Sequence, residues 1–320
     1  MEKIIYKSIR EIEYDLVIAD KVLKDDYKDI FFEDTLFVDA GEGAKTFEFL
    51  ERIIKFMQDK TIDRSSKIAV VGGGSLSDVI GFAAGIYMRG IKHDIIPTTL
   101  LSMVDACVGG KTAINFNHTK NMVGMFNEAQ NVIIDSKFTQ TESLENLKNG
   151  VVEALKLAAL FDRDVFYEMS KLIDFEMTNR AEFVELAIKY SPVKKQQIVK
   201  EDFKDKGIRQ LLNAGHTVAH AIESYENYNI SHGKAVAIGL VIEHEAFETD
   251  TSKIFSDIFS DLYGSDFLHL VDKYKRLKLD FSEDKKSHGA MINIPIINEI
   301  GDSEIITLTK EDFSRRVYFG

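Results

Sequence analysis

The chain has 320 residues, 45% of them apolar and 29% charged, with a net charge of −12, a globular composition long enough for one large or two medium domains. The negative balance argues against nucleic acid and against a membrane surface as partners, and an anionic substrate would need a local basic pocket. The single cysteine, Cys107, excludes an internal disulfide framework and fits a reducing compartment; with no apolar run of ~18 residues and no signal-type apolar core, the sequence reads as cytoplasmic.

Taken in chain order, "TLFVDA", "KIAVVGG" and "KHDIIPTT" are short apolar runs rich in β-branched residues. Between the first two, "AKTFEFLERIIKFMQDK" carries apolar residues at helical spacing. This alternation predicts parallel strands with crossover helices, a doubly wound α/β sheet. From about Ser143 the pattern changes. "SLENLKNGVVEALKLAALF", "RAEFVELAIKYSPVKKQQIVKED" and "AVAIGLVIEHEAFETD" all predict helices, and the next strand signal is "GAMINIPII". The expected organisation is therefore a first domain over 1–145 and a mostly α-helical second domain over 146–320. There is no internal repeat, no low-complexity tract and no proline-rich linker.

Three stretches carry chemistry. "VVGGGSLSDVIGFAAG" follows a strand and opens a helix, where Gly72, Gly73 and Gly74 would let backbone amides approach a pyrophosphate. It matches neither the dinucleotide fingerprint nor a Walker loop, and a tight turn with no ligand explains it equally well. "PTTLLSMVDACVGGKTAINFNHTKN" sets polar groups among apolar segments, with Lys111 and Lys120 available to neutralise phosphate or carboxylate. "GHTVAHAIESYENYNISHG" gathers His216, His220 and His232, the first two spaced i, i+4 on one helix face. Glu153 lies in the apolar stretch "NGVVEALKLAAL", where a carboxylate is costly unless paired or bound to a cation. Two readings stand for it: a buried pair with Lys156, three residues on, or a metal ligand together with His216 and His232.

"GGGSLSDVIGFAAGIYMRG", "IPTTLLSMVDACVGGKTAIN", "KNMVGMF", "VVEALK", "IRQLLNAGHTVAHAIE" and "SHGKAVAIG" occur in the order and spacing of the 3-dehydroquinate synthase family. The resemblance runs from Asp39 to Gly239, with a weaker echo in "DKKSHGAMINIPIINEIG". It implies an N-terminal Rossmann-like NAD domain and a C-terminal α-helical metal-binding domain, with Zn2+ or Co2+ on Glu153, His216 and His232. NAD contacts would fall on Gly41, Glu42, Lys45, Gly73, Gly74, Asp78, Thr98, Thr99, Asp105, Lys111, Lys120 and Thr141. Substrate and catalytic contacts would come from Arg89, Lys111, Asn121, Lys156, Lys195, Arg209, Asn213, His220 and Lys285 or Lys286.

The resemblance further implies a homodimer acting on a sugar phosphate. That substrate, 3-deoxy-D-arabino-heptulosonate 7-phosphate, would yield 3-dehydroquinate and phosphate by oxidation, elimination, reduction and ring closure, with NAD regenerated. A cyclase whose substrate lacks the carboxylate, a metal-dependent polyol dehydrogenase and a degenerate NAD-binding module are the rivals. Lys195, Arg209 and Asn213 match the synthase pattern, and intact Glu153, Lys156, His216 and His232 oppose the last rival. The sequence departs from the family pattern at Ala40, Ser75-Leu76-Ser77, Ala219 and Lys234, none of them a proposed ligand.

Overall fold

A computed structural model describes residues 1–7, 13–117, 119–277, 279–281 and 291–319. They form two compact units, Met1–Glu142 with Ile188–Lys200, and Ser143–Ala187 with Glu201–Gly320. The first unit thus takes in a stretch, 188–200, that lies well past residue 145 in the chain.

The first unit is built on a parallel sheet of six strands. These are β1 (Lys3–Tyr6), β2 (Leu16–Asp20), β3 (Leu36–Val38), β4 (Lys67–Gly72), β5 (Lys92–Pro97) and β8 (Asn131–Ile134). They run in the order β1-β8-β5-β4-β2-β3, with β4 and β5 in register from Lys67 opposite Lys92 to Gly72 opposite Pro97. Ile68, Ala69, Val70 and Val71 of β4 are wholly buried, the unbroken apolar run expected of a strand covered on both faces. Helix α1 (Phe47–Asp59) starts where the Thr46 hydroxyl accepts from the Phe49 amide at 3.1 Å. Helix α2 (Gly74–Ile86) follows β4 directly. The doubly wound core expected from the alternating pattern is present.

The apolar runs of the sequence name three of the sheet's strands, whereas β1, β2 and β8, along with a hairpin, go unread. Lys111–Phe116 and Thr119–Phe126 form an antiparallel hairpin, β6 and β7, pairing Lys111 with Phe126 and Phe116 with Thr119. Its polar residues and its glycine masked the strand signal in the sequence.

The second unit is mainly helical: α3 (Leu144–Phe161), α4 (Arg163–Ser170), α6 (His216–Tyr225), α7 (His232–Ala246), α8 (Thr251–Tyr263), α9 (Phe267–Arg276) and α10 (Lys310–Phe319). Helix α5 (Arg180–Glu201) begins in this unit and contributes its 188–200 stretch to the first. An antiparallel pair, β9 (Met291–Glu299) and β10 (Asp302–Thr309), completes it. Helix α7 is apolar on most sides and buried along most of its length, with Val236, Ile238 and Leu240 wholly covered. Its His244 ties it to β9, since Nδ1 lies 2.7 Å from the Leu240 carbonyl and Nε2 accepts from the Ile297 amide at 2.9 Å.

Candidate metal centre and cofactor turn

Helices α3, α6 and α7 bring three ligand-type side chains together. Glu153, in the middle of α3, is 3% exposed. His216 opens α6 directly after Gly215, whose φ of +77° suits glycine. A side chain at Gly215 would also meet the Leu240 backbone nitrogen at 2.9 Å. The α6 N-terminus is capped from α7: the Glu243 carboxylate accepts from the Gly215 and Val218 amides at 2.8 and 2.9 Å. His232 opens α7, and the Gly233 amide donates to Asn149 Oδ1 on α3 at 2.7 Å. Two helix starts are therefore pinned so that both imidazoles face α3.

Glu153 divides its oxygens. Oε2 pairs with Lys156 Nζ at 2.6 Å, and Lys156 also donates to the Leu212 carbonyl at 2.6 Å. Oε1 faces His216 Nε2 at 3.7 Å and His232 Nε2 at 3.5 Å. One oxygen thus makes the buried pair with Lys156, and the other is left facing the two imidazoles. The imidazole distances exceed ordinary hydrogen-bond lengths. Ligand atoms arranged tetrahedrally at ~2.0–2.2 Å from a shared cation lie about 3.3–3.6 Å apart, and the His232 distance falls within that range and the His216 distance just beyond it. All three ligand atoms lie within 4.8 Å of one another. Two imidazoles and a carboxylate are also the ligand set of a catalytic zinc site that keeps a position for substrate.

Each ring is held by its other nitrogen. His216 Nδ1 lies 3.1 Å from the Ala214 carbonyl and His232 Nδ1 3.0 Å from Glu223 Oε1. Both partners accept only, so the proton sits on Nδ1 and each Nε2 is directed as a ligand. Burial works against charge on His232, but the Glu153 and Glu223 carboxylates outweigh it and push the ring up to about 9. A cation bound at His232 Nε2 would have to displace the proton held there. His220, one turn along α6, stacks edge-on to His216 at 5.4 Å and is exposed, outside the ligand cluster.

Just before α6, a single 3₁₀ segment, Ile208–Asn213, carries Arg209 and Asn213. Arg209 is 2% exposed and donates from Nη1 to the Phe203 carbonyl at 3.0 Å, while Asn213 Nδ2 donates to the Gln210 carbonyl at 3.0 Å. Lys285 and Lys286 lie outside the described residues.

In the first unit, β4 ends at Gly72, Gly73 is the N-cap, and no side chain caps α2, so its first amides point outward as an anion site requires. Thr98 and Thr99 follow β5 beside this turn: the Thr98 amide bonds the Gly72 carbonyl at 3.0 Å, and a side chain at Gly73 would meet Thr99 Cγ2 at 3.4 Å. Ala106, next to Asp105, closes over Gly74, where a Cβ would fall 2.9 Å from its own. The unusual residues of the turn find local partners. Ser75 donates to Glu42 at 3.3 Å, Leu76 packs on Gly72, and Ser77 donates to the Gly73 carbonyl at 3.3 Å.

Lys45, 2% exposed, bonds Asp78 at 2.6 Å and also Asn121. Burial pushes the Asp78 carboxyl up to about 6 against the pull of that ammonium. Glu42 also accepts from Asn115 at 2.8 Å, and Asn115 Oδ1 accepts from the Asn121 amide at 2.9 Å. Glu42, Lys45, Asp78 and Asn121 thus form one polar cluster near the glycine turn. Lys195 pairs with Asp105 at 2.7 Å. Thr141 bonds Tyr27 at 2.9 Å, and its neighbour Glu142 accepts from the Leu100 amide at 3.0 Å, next to Thr99.

Other expected residues are more dispersed. Lys111 and Lys120 lie at opposite ends of the β6–β7 hairpin. Gly41 turns the chain with φ +105° ahead of Glu42. Arg89 is exposed at the far end of α2, about 20 Å along the axis from the glycine turn. Arg89 and Asn121 are both in the left-handed region, with φ +69° and +54°. Sequence reasoning missed Glu223, Glu243 and Asn149. The two glutamates gave the same signal as Glu153, a carboxylate within an apolar helical stretch, whereas Asn149 gave none.

Residues 35–149 match the model of the 3-dehydroquinate synthase N-terminal region, and residues 150–262 that of its C-terminal region. A 3-dehydroquinate synthase of Sulfurisphaera tokodaii is 36% identical over 273 residues, covering 82% of this chain and 77% of its own. Among solved structures, 2-deoxy-scyllo-inosose synthase with carbaglucose-6-phosphate, NAD+ and Co2+ superposes with a TM-score of 0.82 at 20% identity, over 99% of this chain and 96% of that one. The 2-epi-5-epi-valiolone synthase of Streptomyces hygroscopicus with NAD+ and Zn2+ gives 0.80, again at 20% identity and over 99% and 96%. These two likenesses establish the fold. The two adjoining family models and the identity to the Sulfurisphaera synthase establish more: the chain belongs to the 3-dehydroquinate synthase family.

Proposed function

We propose that this chain converts 3-deoxy-D-arabino-heptulosonate 7-phosphate to 3-dehydroquinate and phosphate, with catalytic NAD and a divalent cation, Zn2+ or Co2+. The observation that carries the reading is the Glu153–His216–His232 cluster, whose spacing and fixed Nδ1 protons suit a cation, in a chain of this family. Bound NAD supplies a hydride acceptor that later returns the hydride, and the bound cation supplies Lewis acidity.

The chain's own groups do the rest. The α2 amides and the Lys45–Asp78 pair receive the dinucleotide, with Gly41, Glu42, Gly73, Gly74, Thr98, Thr99, Asp105, Lys111, Lys120 and Thr141 around it. Lys156 fixes the second oxygen of Glu153, so one oxygen is presented to the cation. Arg209 offers the planar fork suited to a carboxylate, which an ammonium cannot match. Arg89, Asn121, Lys195, Asn213 and Lys285 or Lys286 complete the anion contacts, and exposed His220 can exchange protons beside His216. In a chain whose net charge is −12, holding an anionic substrate requires such cationic groups at the site.

The protein acts as a cytoplasmic homodimer. Phe116, Met122 and Met125 of the β6–β7 hairpin expose apolar surface that supports a second copy as partner, and the mass in solution tests this. Phosphate release from the heptulosonate phosphate, with added NAD and zinc or cobalt and no net NADH, tests the reaction. Chelation should abolish it. Net NADH release would instead identify a dehydrogenase, and equal turnover of glucose 6-phosphate a broader cyclase.

A further inference from the structure

The segment 105–111 joins Asp105, in the π-helical turn Ser102–Ala106, to Lys111, the first residue of β6, through a turn over 107–110. Gly109 and Gly110 have φ values of +106° and +63°, so no regular secondary structure fixes the turn. A side chain at Gly110 would strike Glu128 at 2.9 Å. The Asn127 amide anchors the Gly110 carbonyl at 2.8 Å.

The other anchor is remote in sequence. Glu2, 3% exposed, accepts from the Gly109 amide through Oε1 at 2.8 Å. Its own carbonyl accepts from Gln196 Nε2 on α5 at 2.5 Å. The preceding residue on that helix, Lys195, reaches Asp105 twice, at 2.7 Å to Oδ1 and 2.7 Å to the carbonyl. A closed ring results: Glu2 side chain, Gly109 to Asp105, Lys195, Gln196, Glu2 backbone.

A carboxylate this deeply covered loses hydration that an apolar side chain of the same size would not. Its bond to an amide inside the turn gives it a directional task. We propose that Glu2 is a positioning residue for the reaction, holding the 105–111 segment through Gly109 so that Asp105 meets Lys195. The inference rests on the reading that Asp105 and Lys195 serve the reaction.

Glu2→Ala, measured in the full chain with NAD and zinc, should lower kcat about 10- to 100-fold, with bound metal unchanged. Glu2→Gln keeps an acceptor oxygen and should stay within about threefold of wild type. In an Asp105→Asn background, Glu2→Ala should cost less than about twofold more, because both changes disable one unit. Should the alanine variant not fold, Glu2→Met, close in volume and lacking the acceptor, carries the same comparison. A folded Glu2→Ala or Glu2→Met enzyme with wild-type kcat overturns the proposal, as do losses that multiply with Asp105→Asn. Unchanged turnover in both Asp105→Asn and Lys195→Met would instead remove the role given to the pair itself, and the role of Glu2 with it.

Discussion

Glu223 does for His232 what the Ala214 carbonyl does for His216: each takes the Nδ1 proton and aims Nε2 at the cluster. Glu223 adds a charge, so Glu223→Gln should keep the ring oriented yet weaken zinc about tenfold in a chelator competition, toward the low end of such outer contacts. Gly73 is the position at which to test the dinucleotide turn. Its φ of −75° and the 3.4 Å gap to Thr99 admit alanine, whereas any side chain at Gly74 would strike Ala106. Gly73→Ala should fold normally and bind NAD about tenfold more weakly by calorimetry, since a methyl group intrudes on the anion's approach. Of the residues behind these arguments, Glu153 stood out in the sequence because its charge clashes with an apolar context, His216 because it shares a helix face with His220, and His232 because it lies close to both in the chain. Asn149 did not, because an asparagine gains its role only from the through-space approach of Gly233.

Helix α5 contains Pro192, which has no N–H to give the Ile188 carbonyl one turn back. The Tyr6 hydroxyl of β1 donates to that carbonyl instead, at 2.9 Å. The helix is mended from outside, at the point where its chain enters the first unit. Tyr6→Phe should cost about 1 kcal/mol, read as a lower urea midpoint with an unchanged slope. Periodicity displayed α5 as a helix but not the unit its second half joins, because partner choice leaves no trace in spacing. The parallel core was legible through its apolar runs, while the β6–β7 hairpin was hidden by polar residues that suit a site as well as a strand.

Two histidines couple the whole molecule to pH. Burial lowers both His93 on β5 and His244 on α7 to about 4, from an ordinary 6.5. Between those values the unfolded chain binds more protons than the folded one. The stability each contributes is therefore complete above about 6.5 and lost as pH falls toward 4, on the order of 3 kcal/mol per site. Asp78, raised by burial, works in the opposite direction, so a raw melting curve mixes the two effects. A difference isolates one of them. His244→Leu should be less stable than wild type at pH 7, having lost the bonds to Leu240 and Ile297. That deficit should shrink by about 3 kcal/mol by pH 4. A deficit constant across the range would mean that His244 does not titrate with folding.

The lysine on Glu153 has a consequence for which ions the centre admits. With Oε2 engaged by Lys156, the carboxylate cannot chelate through both oxygens, and the remaining donors are two ring nitrogens. Calcium seeks six to eight oxygens and magnesium a nearly octahedral oxygen shell, whereas zinc and cobalt accept imidazole readily. If this cluster holds the cation, the two imidazoles together with this ion pair would disfavour the abundant cellular ions. Millimolar magnesium or calcium should leave zinc occupancy untouched in equilibrium dialysis, and Lys156→Met, which releases the second oxygen, should erode that preference.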